Sequence, residues 1–448
     1  MCGIAGAFNV PKAAEETVMA LHGIQHRATD FAGIVTSDGT NPYPYAGVGV
    51  VRKAFEVEDP DKILNKLHGR HSIGHIRYST AKRKKDDKYR NNTQPILGNY
   101  GTSWFALAHN GNLPNTRRLK NLANNRTMAT NMDTEYIVRL LEQRQTGDFI
   151  KDLAKVLPTI KGSYALGILL PQMLVAVQGP HNNRPLCLGK RGTSYFICSE
   201  SCGLDNVDAE FVRELDPGEI LCITKEGLSS TFLPATDQKR CFFELNYFSH
   251  PASVVFGRGV EEYQLRLGAM LEKYCPTPGA DIVVPVPDSA EMIAIGYATS
   301  GASGRYHKAI RRNHYVGRSF IEASQAKRDT TVANKFTFTP RAIAGKSIVI
   351  VDDSIVRGTT LRRIVKKLRH YGAKEVHLRI GTPPIGHPCR YGIDISTYKE
   401  LVASRLNPQQ IAEELGADSL MFFPLEAQKE LLGDPQNFCY ACITGEYW

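Results

Sequence analysis

Cys2 is the first residue able to do covalent chemistry, and its position matters as much as its type. Loss of Met1 makes it the N-terminal residue, with a thiol and a free α-amine together. An α-amine has a reference pKa of about 8, well below that of lysine. It can serve the thiol as a base at neutral pH, directly or through one water. A second signature is the string Asp352-Asp353-Ser354-Ile355-Val356-Arg357-Gly358-Thr359-Thr360, which follows the apolar run Ser347-Ile348-Val349-Ile350-Val351. A small-residue loop between a strand and a helix N-terminus offers an anion N–H groups and a favourable dipole. Two carboxylates there would repel a phosphate unless they serve hydroxyls or a divalent cation. The string therefore fits a sugar phosphate, with ribose hydroxyls and Mg2+ on Asp352 and Asp353 and the 5-phosphate on residues 354–360. The third signature is Cys439-Tyr440-Ala441-Cys442, with Cys389 and Cys241 farther off. Four such thiols can close a site around zinc or an iron–sulfur cluster.

The elements that must position these groups divide the chain in two. Up to about residue 235 the pattern is short β segments, among them 72–76, 104–108, 164–170, 173–178, 195–199 and 219–224. Helical patterns interrupt it near 16–25, 133–143 and 150–156, giving an α+β layered domain over residues 2–235. From about residue 260 the rhythm changes. The runs 281–286 and 346–351 are β-branched, and each leads through a turn into a helical stretch. Leu361, Ile364, Val365 and Leu368 fall at helical spacing, Gly372 stands where a C-cap would, and 376–380 reads as a further strand. Strand–helix–strand order predicts an α/β domain with a parallel sheet over residues 236–448.

Composition narrows the class. With 448 residues, 42% hydrophobic and 22% charged, the chain is ordinary globular material for two or three domains. No run of about 18 apolar residues exists, so a soluble, cytoplasmic protein is expected without a membrane partner. Ten cysteines over this length are too sparse for a secreted disulfide scaffold. Cys187, Cys198, Cys202, Cys222 and Cys275 read as ordinary buried thiols. A formal charge of +10 suits an anionic partner, either nucleic acid or a phosphorylated small molecule, and with the motifs taken together the small molecule is expected and nucleic acid is not.

The phosphate-cradle string resembles the type I phosphoribosyltransferases. Together with Cys2, the chain resembles the glutamine phosphoribosylpyrophosphate (PRPP) amidotransferases along nearly its whole length. Cys2-Gly3-Ile4 matches that family's nucleophile end and Gln25-His26-Arg27 its next motif. The segment Gly74-His75-Ile76-Arg77-Tyr78-Ser79-Thr80 matches the part that holds the glutamine carboxylate, through Arg77. His109-Asn110-Gly111-Asn112-Leu113 matches the oxyanion-hole motif, with the Asn110 side chain and Gly111 N–H as donors, and Asp133 would pair with the glutamine α-amine. Val286-Pro287-Asp288-Ser289 looks like the loop that brings Ser289 to the Mg2+ site. Residues 315–321, Gln325 and Arg328 look like a loop that closes over pyrophosphate, with Arg318, Arg328 and Lys335 as anion contacts.

The resemblance implies a four-layer αββα N-terminal-nucleophile glutaminase domain ahead of the phosphoribosyltransferase domain. It implies formation of 5-phosphoribosylamine from glutamine and PRPP, the first step of de novo purine biosynthesis. One subgroup carries a [4Fe–4S] cluster on cysteines in the contexts of Cys241, Cys389, Cys439 and Cys442, and zinc is the second choice. A homodimer or homotetramer inhibited by purine nucleotides is implied as well. Three departures stand out: Ala28-Thr29 replaces Gly-Gln, Met132 replaces a small hydroxyl residue, and Gln178–Asn183 replaces an acidic turn. Sugar-isomerising and asparagine synthases share only the first domain, and the loop at 352–360 argues against them. The remaining alternative is a nucleotide- or PRPP-sensing regulator derived from the enzyme.

Overall fold

Every residue of the strand Gly3–Phe8 is buried, which requires cover on both faces. In the computed structural model that cover is a helix layer on one side and a second sheet on the other. The structure describes residues 1–55, 63–78, 92–124, 128–313, 336–395 and 397–448. Ser79, Thr80, residues 315–321, Gln325, Arg328 and Lys335 lie outside the described residues, and so do the expectations placed on them.

Gly3–Phe8 sits inside a seven-stranded antiparallel sheet, between Ser194–Cys198 and His71–Arg77. The second sheet has six antiparallel strands, with Ser103–Asn112 beside Ser163–Leu170. Ile4, Phe8, Ile73, Ala106, Leu169 and Ala176 pack between the two sheets. The sheets approach so closely at Gly167 that a Cβ there would lie 2.5 Å from Ile73 Cδ1. Helix Ala13–Gly23 covers the first sheet, and helices Thr134–Arg144 and Phe149–Val156 cover the second, giving four αββα layers. The first helix begins earlier than its apolar spacing suggests and ends at Gly23, with Gln25–Arg27 forming a separate 3-10 turn.

After Gly227–Phe232 the chain crosses to a five-stranded parallel sheet, ordered Arg305–Tyr306, Ile282–Pro285, Ser347–Asp352, Glu375–Ile380, Ser419–Phe422. Its strands obey the period of two. Val283, Val349 and Val351 face helices Val260–Tyr274 and Glu291–Thr299, whereas Val284, Ile348 and Ile350 face Thr359–His370 and Pro408–Leu415. Each such branched side chain contributes on the order of 1.5–3 kcal/mol on burial. Helix Thr359–His370 buries the four residues read from the sequence as its apolar stripe, and Gly372 follows it with φ +83°. The junction is tied by Arg240–Cys241, which pairs in parallel with Phe438–Cys439. Among the described residues no helix is long and apolar enough to cross a membrane.

Candidate active site

Strand ends and a helix start bring the expected glutamine residues to one cavity of about 160 Å³. Cys2 precedes the central strand of the first sheet, Arg77 ends its neighbour, and Asn110 and Gly111 lie on the second sheet. Asp133 is the N-cap of Thr134–Arg144. All five line the cavity, as do Tyr78 and Met132. The volume is comparable to cavities that hold a benzene-sized molecule.

Opposite charges, Arg77 and Asp133, line the same cavity. Arg77 is largely buried, and burial lowers its pKa while Cys2, Asp133 and Asp30 draw it back up. Its Nη1 donates to the Asn92 carbonyl. Asp133 accepts from Thr134 N at 2.9 Å with one oxygen and from Leu113 N at 2.8 Å with the other, yet its side chain stays 22% exposed toward the cavity. Capping a helix and facing the cavity are thus compatible. Asn110 is fully buried, and among the described residues neither its amide nitrogen nor its oxygen has a hydrogen-bond partner. Leaving a buried amide unpaired costs about 1–3 kcal/mol. An amide kept in that state offers the cavity a fixed N–H donor that no other group occupies among the described residues. Gly111 admits no side chain, since a Cβ would lie 2.0 Å from the Ser163 carbonyl oxygen.

Cys2 is fixed through its backbone, its carbonyl accepting from Arg27 Nε at 2.9 Å. The Met1 amine donates to the Arg27 carbonyl at 3.2 Å. Burial pushes that amine's pKa down to about 5; Arg27 and Arg184 act in the same direction, Cys2 and Glu244 against it. When Met1 is lost, the amine of Cys2 begins one residue on, beside the same Arg27. A lowered pKa leaves a base neutral over more of the pH range. Glutamine-dependent kcat/KM should therefore rise with pH to a plateau as this amine loses its proton, with the midpoint below the ordinary α-amine value near 8. A pH–rate profile on protein whose intact mass lacks Met1 checks this.

The departures have local consequences. Met132 Sδ accepts from Gln94 Nε2 at 3.9 Å, and Gln94 also binds His109 N at 2.7 Å and Thr134 Oγ1 at 3.1 Å. Ala28 is buried, and its carbonyl accepts from Gln25 Nε2. The loop 178–183 holds the domain junction through Lys239 N to His181 O at 2.7 Å and Cys241 N to Asn183 O at 3.4 Å. Sequence reasoning did not pick out Gln94 or Gly392, which also line the cavity. Gly392 comes from the second domain, and no local pattern around it signals that placement.

The second site lies at the carboxyl end of Ser347–Asp352. Asp353 is buried, its oxygens accepting from Ser289 Oγ at 2.5 Å and Ser354 Oγ at 2.6 Å, and its own N–H donates to Asp352 Oδ1 at 3.0 Å. Burial raises the Asp353 pKa, against those hydroxyl bonds. Gly358 caps Thr359–His370 with φ +71°, a conformation glycine adopts without strain, so Thr359 and Thr360 open the helix. Ile355 is buried, Val356 O accepts from Val402 N at 2.9 Å, and Arg357 pairs with Glu400 at 2.9 Å.

The four cysteines at the junction also gather. Cys241 and Cys439 are register partners, and Cys389 Sγ accepts from Tyr391 N at 3.3 Å. Burial pushes the Cys241 thiol up to about 12 and raises Cys439 and Cys442; Cys442 feels Cys389, Cys439 and Cys241 together. Among the described residues the buried Arg184 Nε has no hydrogen-bond partner, and Trp448 reaches Cys439 with its side chain and lowers that thiol's pKa. Arg184 lowers the thiol pKa values of Cys241 and Cys439. A spare donor and a buried cation beside four thiols fit a group held by thiolates. Among the described residues no three His, Cys, Asp or Glu side chains are close enough to hold a single metal ion.

An αββα domain with this cavity, joined to a parallel-sheet domain with a phosphate-type loop, defines a two-domain glutamine amidotransferase of the phosphoribosyltransferase type. Residues 75–206 match the glutamine amidotransferase domain family and residues 280–381 the phosphoribosyl transferase domain family. The chain is 40% identical to the amidophosphoribosyltransferase of Bacillus subtilis over 458 residues, covering 100% of this chain and 94% of that one. It is 38% identical to that of Methanocaldococcus jannaschii, covering 100% and 97%. A solved B. subtilis glutamine PRPP amidotransferase, complexed with ADP and GMP, superimposes with a TM-score of 0.91 at 38% identity, covering 100% and 97%. The chain belongs to the amidophosphoribosyltransferase family.

Proposed function

We infer that this chain converts glutamine and PRPP into 5-phosphoribosylamine, glutamate and pyrophosphate, opening de novo purine biosynthesis. The observation that carries this is the buried Asn110 amide, unpartnered among the described residues, in the cavity that Cys2, Arg77 and Asp133 share. The Cys2 thiolate attacks the carboxamide carbon, and its α-amine takes the thiol proton and passes it to the leaving ammonia. Asn110 and Gly111 N–H hold the oxyanion, and water then hydrolyses the thioester to glutamate. Arg77 and Asp133 select free glutamine by its charged ends. At the second site ammonia displaces pyrophosphate from ribose C1, while Asp352 and Asp353 hold the ribose hydroxyls and residues 354–360 the 5-phosphate. Asp352, Asp353 and Ser289 would hold Mg2+, which when bound offsets charge on the departing pyrophosphate. The test is pyrophosphate release from PRPP by the purified chain, required to depend on glutamine.

We further propose that Cys241, Cys389, Cys439 and Cys442 hold a [4Fe–4S] cluster. Four thiols that lie in one another's field beside the buried Arg184 cation support this reading, and the sequence contexts of the four cysteines favour the cluster over zinc. The expected outcome is a brown protein whose iron content and broad absorbance are lost in Cys439→Ser, read by metal analysis and visible spectroscopy. A colourless, zinc-loaded protein decides for the alternative. The ADP and GMP of the B. subtilis structure support purine nucleotides as feedback inhibitors. A cytoplasmic homodimer or homotetramer completes the proposal.

A further inference from the structure

Arg184 is a fully buried cation that neither proposed reaction uses. Its Nη1 donates to Glu244 Oε1 at 3.0 Å and its Nη2 to the Tyr391 carbonyl at 2.6 Å. The same Glu244 oxygen accepts from Arg27 Nη2 at 3.0 Å, and Arg27 Nε holds the Cys2 carbonyl at 2.9 Å. A continuous chain of hydrogen bonds thus runs from the nucleophile's backbone to the second domain. Next to Tyr391 stands Gly392, which lines the glutamine cavity. A Cβ on Gly392 would lie 3.3 Å from Arg184 Nη2 and equally close to Gly111 C and O, so guanidinium, cavity wall and oxyanion strand meet at one point.

We propose that Arg184 is a positioning residue of the glutamine site: its planar fork fixes the Tyr391–Gly392 wall and, through Glu244, the Arg27 that orients Cys2. Two directions must be satisfied at once by one rigid group. Lysine carries the charge but not the fork, so it can reach Glu244 or the Tyr391 carbonyl, not both. Net charge argues the same way. Arg27 and Arg184 face Glu200 and Glu244 within one buried network, and removing Arg184 leaves Glu244 to share Arg27 with Glu200. Arg184 also lies in the field of Cys241 and Cys389, so a role confined to the cysteine pocket is the competing explanation.

The inference rests on the glutamine-site reading, and the two fail differently. Without glutamine-dependent pyrophosphate release by the unsubstituted chain, the reading itself falls. With it, Arg184→Lys and Arg184→Met are compared in the full chain, each supplied with glutamine or with ammonium chloride, which bypasses the first site. A misplacement of about 1 Å in such a site costs roughly 10²-fold. Arg184→Met should lose about that much in glutamine-dependent kcat/KM, and Arg184→Lys roughly tenfold, with raised glutamine KM. The ammonia-dependent rate should stay within about twofold, since the second site is untouched. If Arg184→Met does not fold, Arg184→Lys decides alone. Equal loss with glutamine and ammonia overturns the proposal, as does altered metal content with unchanged glutamine kinetics.

Discussion

Cys2→Ala is expected to abolish glutamine-dependent pyrophosphate release while leaving the ammonia-dependent rate near that of the unsubstituted chain. The expected loss is on the order of 10⁴–10⁶-fold, the scale on which removing one member of a nucleophile–base unit acts. Size alone does not make the result informative; the split between nitrogen sources does. Alanine removes the thiol but keeps the backbone carbonyl that Arg27 grips, so the buried network around Glu200 and Glu244 survives. The phosphoribosyl half has its own sheet and cores on both faces. Parallel loss of the ammonia rate would mean that the two halves do not work as separable sites, and the proposed mechanism would be wrong.

Asp353→Asn is expected to lower both the glutamine-dependent and the ammonia-dependent rates by roughly 10²–10³-fold, the equivalent of several kcal/mol of lost charge stabilisation. The sign of its stability effect separates chemistry from unfolding. Burial raises the pKa of Asp353 in the folded chain. The carboxyl's contribution to stability is thus fully present below its ordinary pKa, near 4. It is lost as pH rises through the raised folded value. At neutral pH without a cation, the buried charge therefore costs stability. Asparagine keeps the shape and can still bond the Ser289 and Ser354 hydroxyls. Its melting temperature at pH 7 should equal or exceed that of the parent, measured without divalent cation. For the same reason Mg2+ should stabilise the parent increasingly as pH rises, because binding requires the ionised carboxylate. A lower melting temperature in Asp353→Asn would assign the lost activity to misfolding.

Much of this was legible locally. The buried runs at 282–285 and 347–352 alternate faces with period two, and Leu361, Ile364, Val365 and Leu368 repeat with helical period. Both patterns depend only on neighbours in sequence. The first helix was less legible, because its alanines carry little hydrophobic contrast and its buried set, Ala13, Ala14, Thr17, Ala20 and Leu21, looks weakly amphipathic. The departures near the pocket could be named in sequence but not interpreted. That Met132 lends a sulfur acceptor to Gln94 depends on a residue nearly forty positions away.

The sequence by itself determined which chemical groups are present and which local elements carry them: a potential N-terminal thiol, paired aspartates at a strand's end, a small-residue loop, a pair of nearby cysteines. Tertiary structure alone decided what those groups face. Gly392 of the second domain closes the cavity of the first, and Arg184 joins Cys2 to that wall through Glu244 and Arg27. The physical reason is range. Periodicity and turn chemistry record interactions between residues a few positions apart. The contacts of Asn112 and Ser163 with residues 390 and 391 span more than two hundred. Only the packing of two separately built cores brings such groups within hydrogen-bond distance.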